Sequence, residues 1–125
     1  MLIVEDDALI QLDLEQTLRD GGYSTDCEAS GEEAIAKLEA TAELRALITD
    51  INLSGQITGW HVAKRARELF PDLPVIYVTS VAADEWNSMG VPKSVLITKP
   101  FAPAQIITAV SQMLNMSDVT PANNA

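Results

Sequence analysis

The sequence predicts an α/β fold in which a parallel sheet of five strands is covered by helices on both faces. Strand-like apolar runs alternate with stretches of helical periodicity along the chain, and this alternation is typical of parallel sheets with right-handed crossovers. Four of the apolar runs also stop at a polar group, namely the runs at residues 2–4, 46–49, 75–78 and 95–98. Since the carboxyl ends of parallel strands meet at one edge, we expect those polar groups to converge there.

The first predicted helix and the second predicted strand follow the first apolar run. Residues 8–20 have helical periodicity, and Gly21 and Gly22 terminate the helix. Its broad apolar face consists of Leu9, Ile10, Leu12, Leu14 and Leu18. Residues 23–29 alternate with a period of two, which predicts a half-exposed strand at the edge of the sheet with Cys27 facing inward as a small buried hydrophobe.

The remaining helices have recognisable start and stop signals. Ser30 caps the second helix, and Glu33 completes a predicted capping box. A loop of turn-forming residues at 54–59 precedes the third helix, and residues 82–89 form a short, weak helix that we expect to be mobile. Pro103 suits the first turn of the last helix.

Length and composition limit the organisation and the partners of the chain. Its 125 residues suffice for one domain, which we place at residues 1–115, followed by a flexible tail or linker at residues 116–125. Lys plus Arg number 8 and Asp plus Glu 18, and the resulting net charge of −10 argues against direct nucleic acid binding. The lack of a bilayer-length apolar run and of a signal peptide, with a single cysteine, predicts a cytoplasmic protein without membrane insertion.

Acidic residues follow the first and third predicted strands. Asp50 ends a central strand, where a carboxylate can accept a phosphoryl group as an acyl phosphate; taken alone, Asp50 is equally compatible with a helix cap or a loop. Glu5, Asp6 and Asp7 follow the first strand, and acids gathered near Asp50 would raise one another's pKa values unless a hard cation relieved the repulsion. Mg²⁺ fits because it uses one or two carboxylates plus phosphate oxygens. For Asp7 an acidic helix start remains an equal alternative.

The fourth and fifth predicted strands end in groups that bind phosphoryl oxygens. Thr79 offers a hydroxyl donor and Lys99 a compact positive charge, and together they can stabilise the charge that spreads over the phosphoryl oxygens during transfer. Lys99 precedes Pro100, and a cis peptide bond in such a turn would fix the direction of the lysine.

In this order of strand-end groups the chain resembles the receiver domain of bacterial response regulators over roughly residues 2 to 115. The resemblance rests on four segments: Val4-Glu5-Asp6-Asp7, Thr49-Asp50-Ile51-Asn52-Leu53, Val78-Thr79-Ser80 and Lys99-Pro100-Phe101. It implies a flavodoxin-like (βα)5 domain with the strand order 2-1-3-4-5.

The resemblance also implies a function and the residues that perform it. Asp50 would accept a phosphoryl group from a phosphohistidine on a sensor histidine kinase or a histidine phosphotransfer protein. The implied Mg²⁺ ligands are Asp6 directly, Glu5 through water, Asp50, and the backbone carbonyl of Asn52. Thr79 and Lys99 would bind the phosphoryl oxygens. The protein would then be a two-component or phosphorelay switch acting on an unknown downstream protein, and not an enzyme beyond its own phosphorylation and dephosphorylation.

Two departures from the family pattern bear on the switch. Leu96 stands three residues before the lysine, where an aromatic is frequent, so an aromatic switch is not expected. The loop after Asp50 is one residue longer than usual, and Ser54 occupies a position where proline is common.

The sequence bears on three rival functions. A phosphatase of the haloacid dehalogenase type needs a second acid two residues after Asp50, where Asn52 stands. A flavin-binding protein needs a phosphate-binding loop after the first strand, and Asp6-Asp7-Ala8 is hostile to phosphate without a metal. A receiver-like module that only binds a partner stays open, although intact Asp50, Thr79 and Lys99 argue against it.

Overall fold

A computed structural model describes residues 1–80 and 83–118. Its strands are β1 (Leu2–Val4), β2 (Asp26–Glu28), β3 (Leu47–Thr49), β4 (Val75–Thr79) and β5 (Ser94–Thr98). Its helices are α1 (Ala8–Asp20), α2 (Gly31–Ala40), α3 (Gly59–Leu69), α4 (Trp86–Met89) and α5 (Pro103–Asp118), with a 3-10 turn at Ala83–Glu85. All strand pairs are parallel and the strand order is β2-β1-β3-β4-β5, which confirms the predicted fold.

Both faces of the sheet are buried. Because successive side chains of a strand point to opposite faces, Ile3 lies in the core beneath α1 and α5, whereas Leu2 and Val4 lie in the core beneath α2 and α3. The strands β1, β3 and β4 are buried along their whole length. This burial from two sides explains why their sequences are almost wholly apolar instead of alternating.

The first helix has the predicted bounds but a narrower buried face than predicted. Leu14 and Leu18 are buried, and Ile10 packs partly against the same core. Leu9 and Leu12 are 77% and 59% exposed, so the prediction that they face the core is wrong. A step of two residues turns an α-helix by roughly 200°, which places Leu12 on the side opposite Leu14.

The second strand and helix agree with the predictions except in detail. The strand β2 has three residues instead of the seven predicted, and Cys27 within it packs partly against the core. The Ser30 hydroxyl accepts the Glu33 amide N–H at 3.1 Å and donates to the Glu33 carboxylate at 3.0 Å. The N-cap is therefore confirmed, but the Glu33 carboxylate binds the Ser30 hydroxyl and not the Ser30 amide that a capping box requires.

The start of α5 agrees with the prediction, and its C-terminal end extends beyond it. The peptide bond between Lys99 and Pro100 is cis. The helix α5 begins at Pro103 as predicted and continues to Asp118, three residues into the predicted tail, while residues 119–125 lie outside the described residues. Of the short helix predicted at 82–89, residue 82 also lies outside them, and Gly90 caps α4. No helix among the described residues is long and apolar enough to cross a membrane.

Candidate functional site

Backbone hydrogen bonds bring the polar ends of four strands together at one edge of the sheet. The amide of Asp50 donates to the carbonyl of Val4 at 2.9 Å, which joins the ends of β3 and β1. The amide of Lys99 donates to the carbonyl of Thr79 at 2.8 Å, which joins the ends of β5 and β4. The predicted convergence of strand-end groups is therefore present in the backbone.

Three carboxylates meet at this edge. One oxygen from each of Glu5, Asp6 and Asp50 lies within 4.8 Å of the others. Glu5 and Asp50 are buried, and Asp6 is exposed. An octahedral Mg²⁺ spans about 4.2 Å between opposite ligands and accepts oxygen donors with several waters, so this donor set fits such a cation.

The acids line an open cleft. Its volume is about 550 Å³, and Asp7, Asp13, Ser80 and Phe101 contribute to its walls beside the carboxylates and Lys99. A cleft that is open to solvent and carries both acids and a cation is accessible to a charged phosphoryl donor.

Lys99 forms the positive centre of the site. Its ammonium donates to Glu5 Oε1 at 2.6 Å and to Asp50 Oδ2 at 3.2 Å. Burial alone would lower the pKa of Lys99, but the hydrogen bond to Glu5 and the charge of Asp50 outweigh it and raise this pKa above its ordinary value. The side chain is therefore a fixed cation next to the Asp50 carboxylate.

Glu5 is the most perturbed acid of the site. Burial raises the pKa of its carboxyl from 4.5 to about 7, against hydrogen bonds from Lys99 and from the Asp7 amide that favour the charged form. The charge of Asp50 acts in the same direction as burial. The repulsion between gathered acids therefore contributes to the raised pKa of Glu5, but burial is the larger cause.

Hydrogen bonds fix the Asp50 side chain and the backbone that follows it. Its Oδ1 accepts the amide N–H of Ile51 at 2.7 Å, and the amide of Gly59 donates to the Ile51 carbonyl at 2.8 Å. A Cβ atom on Gly59 would lie 2.0 Å from the Asp50 carbonyl oxygen, so only glycine permits this approach of α3 to the end of β3. Gly59, the first residue of α3, thereby fixes the position of the Asp50 backbone at the end of β3.

The other candidate residues lie at the start of a helix, at the end of a strand and in a loop. Asp7 is the N-cap of α1, since its Oδ1 accepts the amides of Leu9 and Ile10 at 3.0 and 3.2 Å, so the helix-start role that is one of its two alternatives is present. Thr79 is buried at the end of β4, and its carbonyl is bonded to Lys99. Asn52 lies exposed in the loop after β3.

Ser54 contacts the site although it was not predicted as a site residue. Its amide and its hydroxyl both donate to Asp6 Oδ2, at 3.1 and 2.7 Å. The hydrogen bond from this side chain is the main reason that the pKa of Asp6 lies below its ordinary value. The only sequence signal was that serine replaced a common proline, which does not reveal a partner 48 residues away.

Comparisons with known proteins agree with this fold. A profile of the family described as the response regulator receiver domain matches residues 1–111. The crystal structure of a response regulator receiver protein from Sinorhizobium medicae WSM419 superposes with a TM-score of 0.91, at 44% identity and 94% coverage of each chain.

Two curated relatives cover most of this chain but differ in length. The chemotaxis protein CheY1 of Helicobacter pylori is 29% identical over 94% of this chain and 98% of its own length. The sensor kinase CckA of Brucella abortus is 28% identical over 94% of this chain, which spans 13% of that kinase. The sheet is parallel with the order 2-1-3-4-5, and acids and a lysine lie at one of its edges. The family profile matches most of the chain, residues 1–111. The chain therefore belongs to the response regulator receiver domain family, a family of phosphorylation-based signalling modules.

Proposed function

We propose that Asp50 accepts a phosphoryl group from a phosphohistidine of a partner protein and that the domain is a switch in a two-component or phosphorelay system. The observation that carries this proposal is the position of the Asp50 carboxylate. It lies 3.2 Å from the Lys99 ammonium and belongs to a group of three acids whose oxygens lie within 4.8 Å of one another.

The two oxygens of Asp50 have different surroundings. Oδ1 is engaged by the Ile51 amide, whereas Oδ2 contacts Lys99. We assign Oδ2 as the nucleophile. As its bond to phosphorus forms, the bond between phosphorus and the donor imidazole nitrogen breaks, and the electron pair of that bond stays with the imidazole, which takes up a proton.

The neighbouring residues have supporting roles. Glu5, Asp6, Asp50 and the backbone carbonyl of Asn52 would hold Mg²⁺, which neutralises charge on the phosphoryl oxygens when bound. Lys99 would bind a phosphoryl oxygen and Thr79 would donate its hydroxyl to another. These contacts stabilise the transferring phosphoryl group, and the only bond that breaks is the one to the donor imidazole. We therefore regard the domain as a signalling module and not as an enzyme with a separate substrate.

The expected partners follow from this chemistry. The donor is a sensor histidine kinase or a histidine phosphotransfer protein, and the output is a downstream protein that recognises the phosphorylated form. We expect the signal to pass from Thr79 into α4, β5 and α5. Leu96 in β5 packs against the core that holds its β4 register partner Tyr77, so any repacking here involves an aliphatic side chain.

Phosphorylation by a small donor tests the proposal. The chain is incubated with acetyl phosphate and Mg²⁺, and its intact mass is measured. We expect a gain of one phosphoryl group that is lost in Asp50→Asn and in the presence of a chelator. No gain in the parent chain would contradict the proposal and favour a module that binds its partner without phosphorylation.

A further inference from the structure

The Asp6 carboxylate is bound by a loop on a different strand. Ser54 lies in the segment between β3 and α3, and both its amide and its hydroxyl donate to Asp6 Oδ2, at 3.1 and 2.7 Å. Hydrogen bonds to a charged acceptor are stronger than those between neutral groups. The end of β1 is thereby fastened to the loop that follows Asp50.

Two donors on one oxygen restrict how Asp6 can bind a cation. A carboxylate oxygen has about two lone-pair sites, so Oδ2 is saturated by Ser54 and Oδ1 is left for a metal. The carboxylate is also held in one orientation, which reduces the entropy lost when a cation binds. Hydrogen-bonding partners of metal ligands act in this way in many metal sites.

The loop itself is anchored, so Ser54 is not free to drift. The Gln56 amide lies 3.4 Å from a Glu32 carboxylate oxygen, and Gly55 adopts a φ of +93°, which favours glycine. Ile57 packs closely against Gly31 at the start of α2. These contacts of the residues that follow Ser54 hold the loop against α2.

We propose that Ser54 is a positioning residue for the divalent cation site. Ser54 holds Asp6 so that Asp6 binds the cation through Oδ1 alone, and it thereby raises the affinity of the site for the cation. This inference rests on the proposed function, because it assumes that Asp6 is a ligand. A proline at this position would have neither an amide hydrogen nor a hydroxyl, so it could make neither contact. The cation affinity of this chain is thus expected to depend on the loop after Asp50.

Calorimetric titration of the full 125-residue chain with MgCl₂ tests this inference without any phosphorylation. Ser54→Ala removes the hydroxyl donor, and we expect its Mg²⁺ dissociation constant to rise about tenfold, the lower end for loss of a ligand's hydrogen-bonding partner, since the site is exposed. Ser54→Pro removes both donors and should bind at least as weakly. Ser54→Thr restores a hydroxyl and should return the constant close to the parent value.

The controls separate a positioning role from a general effect on folding. Ser88→Ala removes an exposed hydroxyl that is bonded to the Glu85 carbonyl, outside the site, and should leave the affinity unchanged. Should Ser54→Pro fold poorly, Ser54→Ala and Ser54→Thr still decide the question. Equal or tighter binding by Ser54→Ala would overturn the inference while leaving the proposed function intact. A parent chain that binds no Mg²⁺ would contradict both.

Discussion

At the scale of single residues, the site combines a buried acid with a fixed cation. Glu5 is 1% exposed and its carboxyl is shared between the Lys99 ammonium and the Asp7 amide. Burial nevertheless dominates, and the pKa of Glu5 lies near 7 instead of 4.5. The folded protein thus holds a proton on Glu5 over a pH range in which the unfolded chain has lost it.

This shift predicts how the stability of the Mg²⁺-free protein depends on pH. Between pH 4.5 and about 7 the folded state binds more protons at Glu5 than the unfolded state does, so stability from this group is complete below that range and declines as the pH rises through it. Thermal unfolding at several pH values, in the presence of a chelator, measures the decline. Glu5→Gln cannot titrate and should show a smaller decline; equal slopes for the two proteins would refute this prediction.

A second prediction at this scale concerns Lys99. Lys99→Ala leaves Glu5 and Asp50 without their shared cation, so we expect a loss of about 1–3 kcal/mol in the free energy of unfolding without Mg²⁺. Mg²⁺ should recover part of the loss because it supplies positive charge to the same acids. Urea unfolding with and without Mg²⁺ measures both effects.

The matched control for this substitution is Lys64→Ala, which removes an exposed lysine from α3. It should change the free energy of unfolding little under either condition. A Lys99→Ala protein as stable as the parent chain in chelator would show that the two ion pairs do not support the folded state.

At the scale of secondary structure elements, the junction between β3 and α3 positions the phosphoacceptor candidate. Gly59 opens α3 directly against the Asp50 carbonyl, where an added Cβ would lie 2.0 Å away. The contact involves backbone atoms on both sides, so neither partner can rotate out of the way. Any side chain at position 59 must therefore displace either the helix or Asp50.

Gly59→Ala is predicted to destabilise the protein. A change from glycine to alanine in a helix normally stabilises it by up to about 1 kcal/mol, whereas overpacking here should lower the free energy of unfolding by about 1–3 kcal/mol. The sign of the change therefore discriminates between the two effects. Denaturant unfolding of the variant supplies the measurement, and a neutral or stabilising substitution would contradict the close contact.

The elements also show which structural features a sequence can predict. The strong period of α1 and its terminating glycines predict its bounds correctly, but the predicted apolar face is wider than the buried one, and Leu9 and Leu12 are exposed. The alternation around β2 extended over seven residues, while pairing with β1 limits the strand to three, because β1 itself has only three. Local patterns identify an element, and tertiary pairing decides its length.

At the scale of the whole molecule, burial from both sides made the fold predictable. Strands covered on two faces read as continuous apolar runs, so β1, β3 and β4 were evident from the sequence, together with the polar residues that end them. The topology then brought Glu5, Asp6, Asp50 and Lys99 to one edge, as the sequence predicted. Parallel pairing alone is sufficient to explain this convergence.

Contacts that depend on the path of a loop could not be predicted from the sequence. The hydrogen bond between Ser54 and Asp6 joins residues that no periodicity relates. The approach of Gly59 to Asp50 depends on the path of the loop between them, which no repeat in the sequence encodes. The roles of Thr79 and Asn52 remain predictions that follow from their places after β4 and β3.

Asp50 is proposed as the phosphoacceptor, and direct mapping of the modified residue tests this proposal best. After reaction with acetyl phosphate and Mg²⁺, borohydride reduction converts an aspartyl phosphate to homoserine, which peptide mass spectrometry locates in the sequence. We expect homoserine at position 50, and none when Mg²⁺ is withheld. Homoserine at Asp6, Asp7 or Asp13, or at no position in a folded protein that binds Mg²⁺, would contradict the assignment of Asp50.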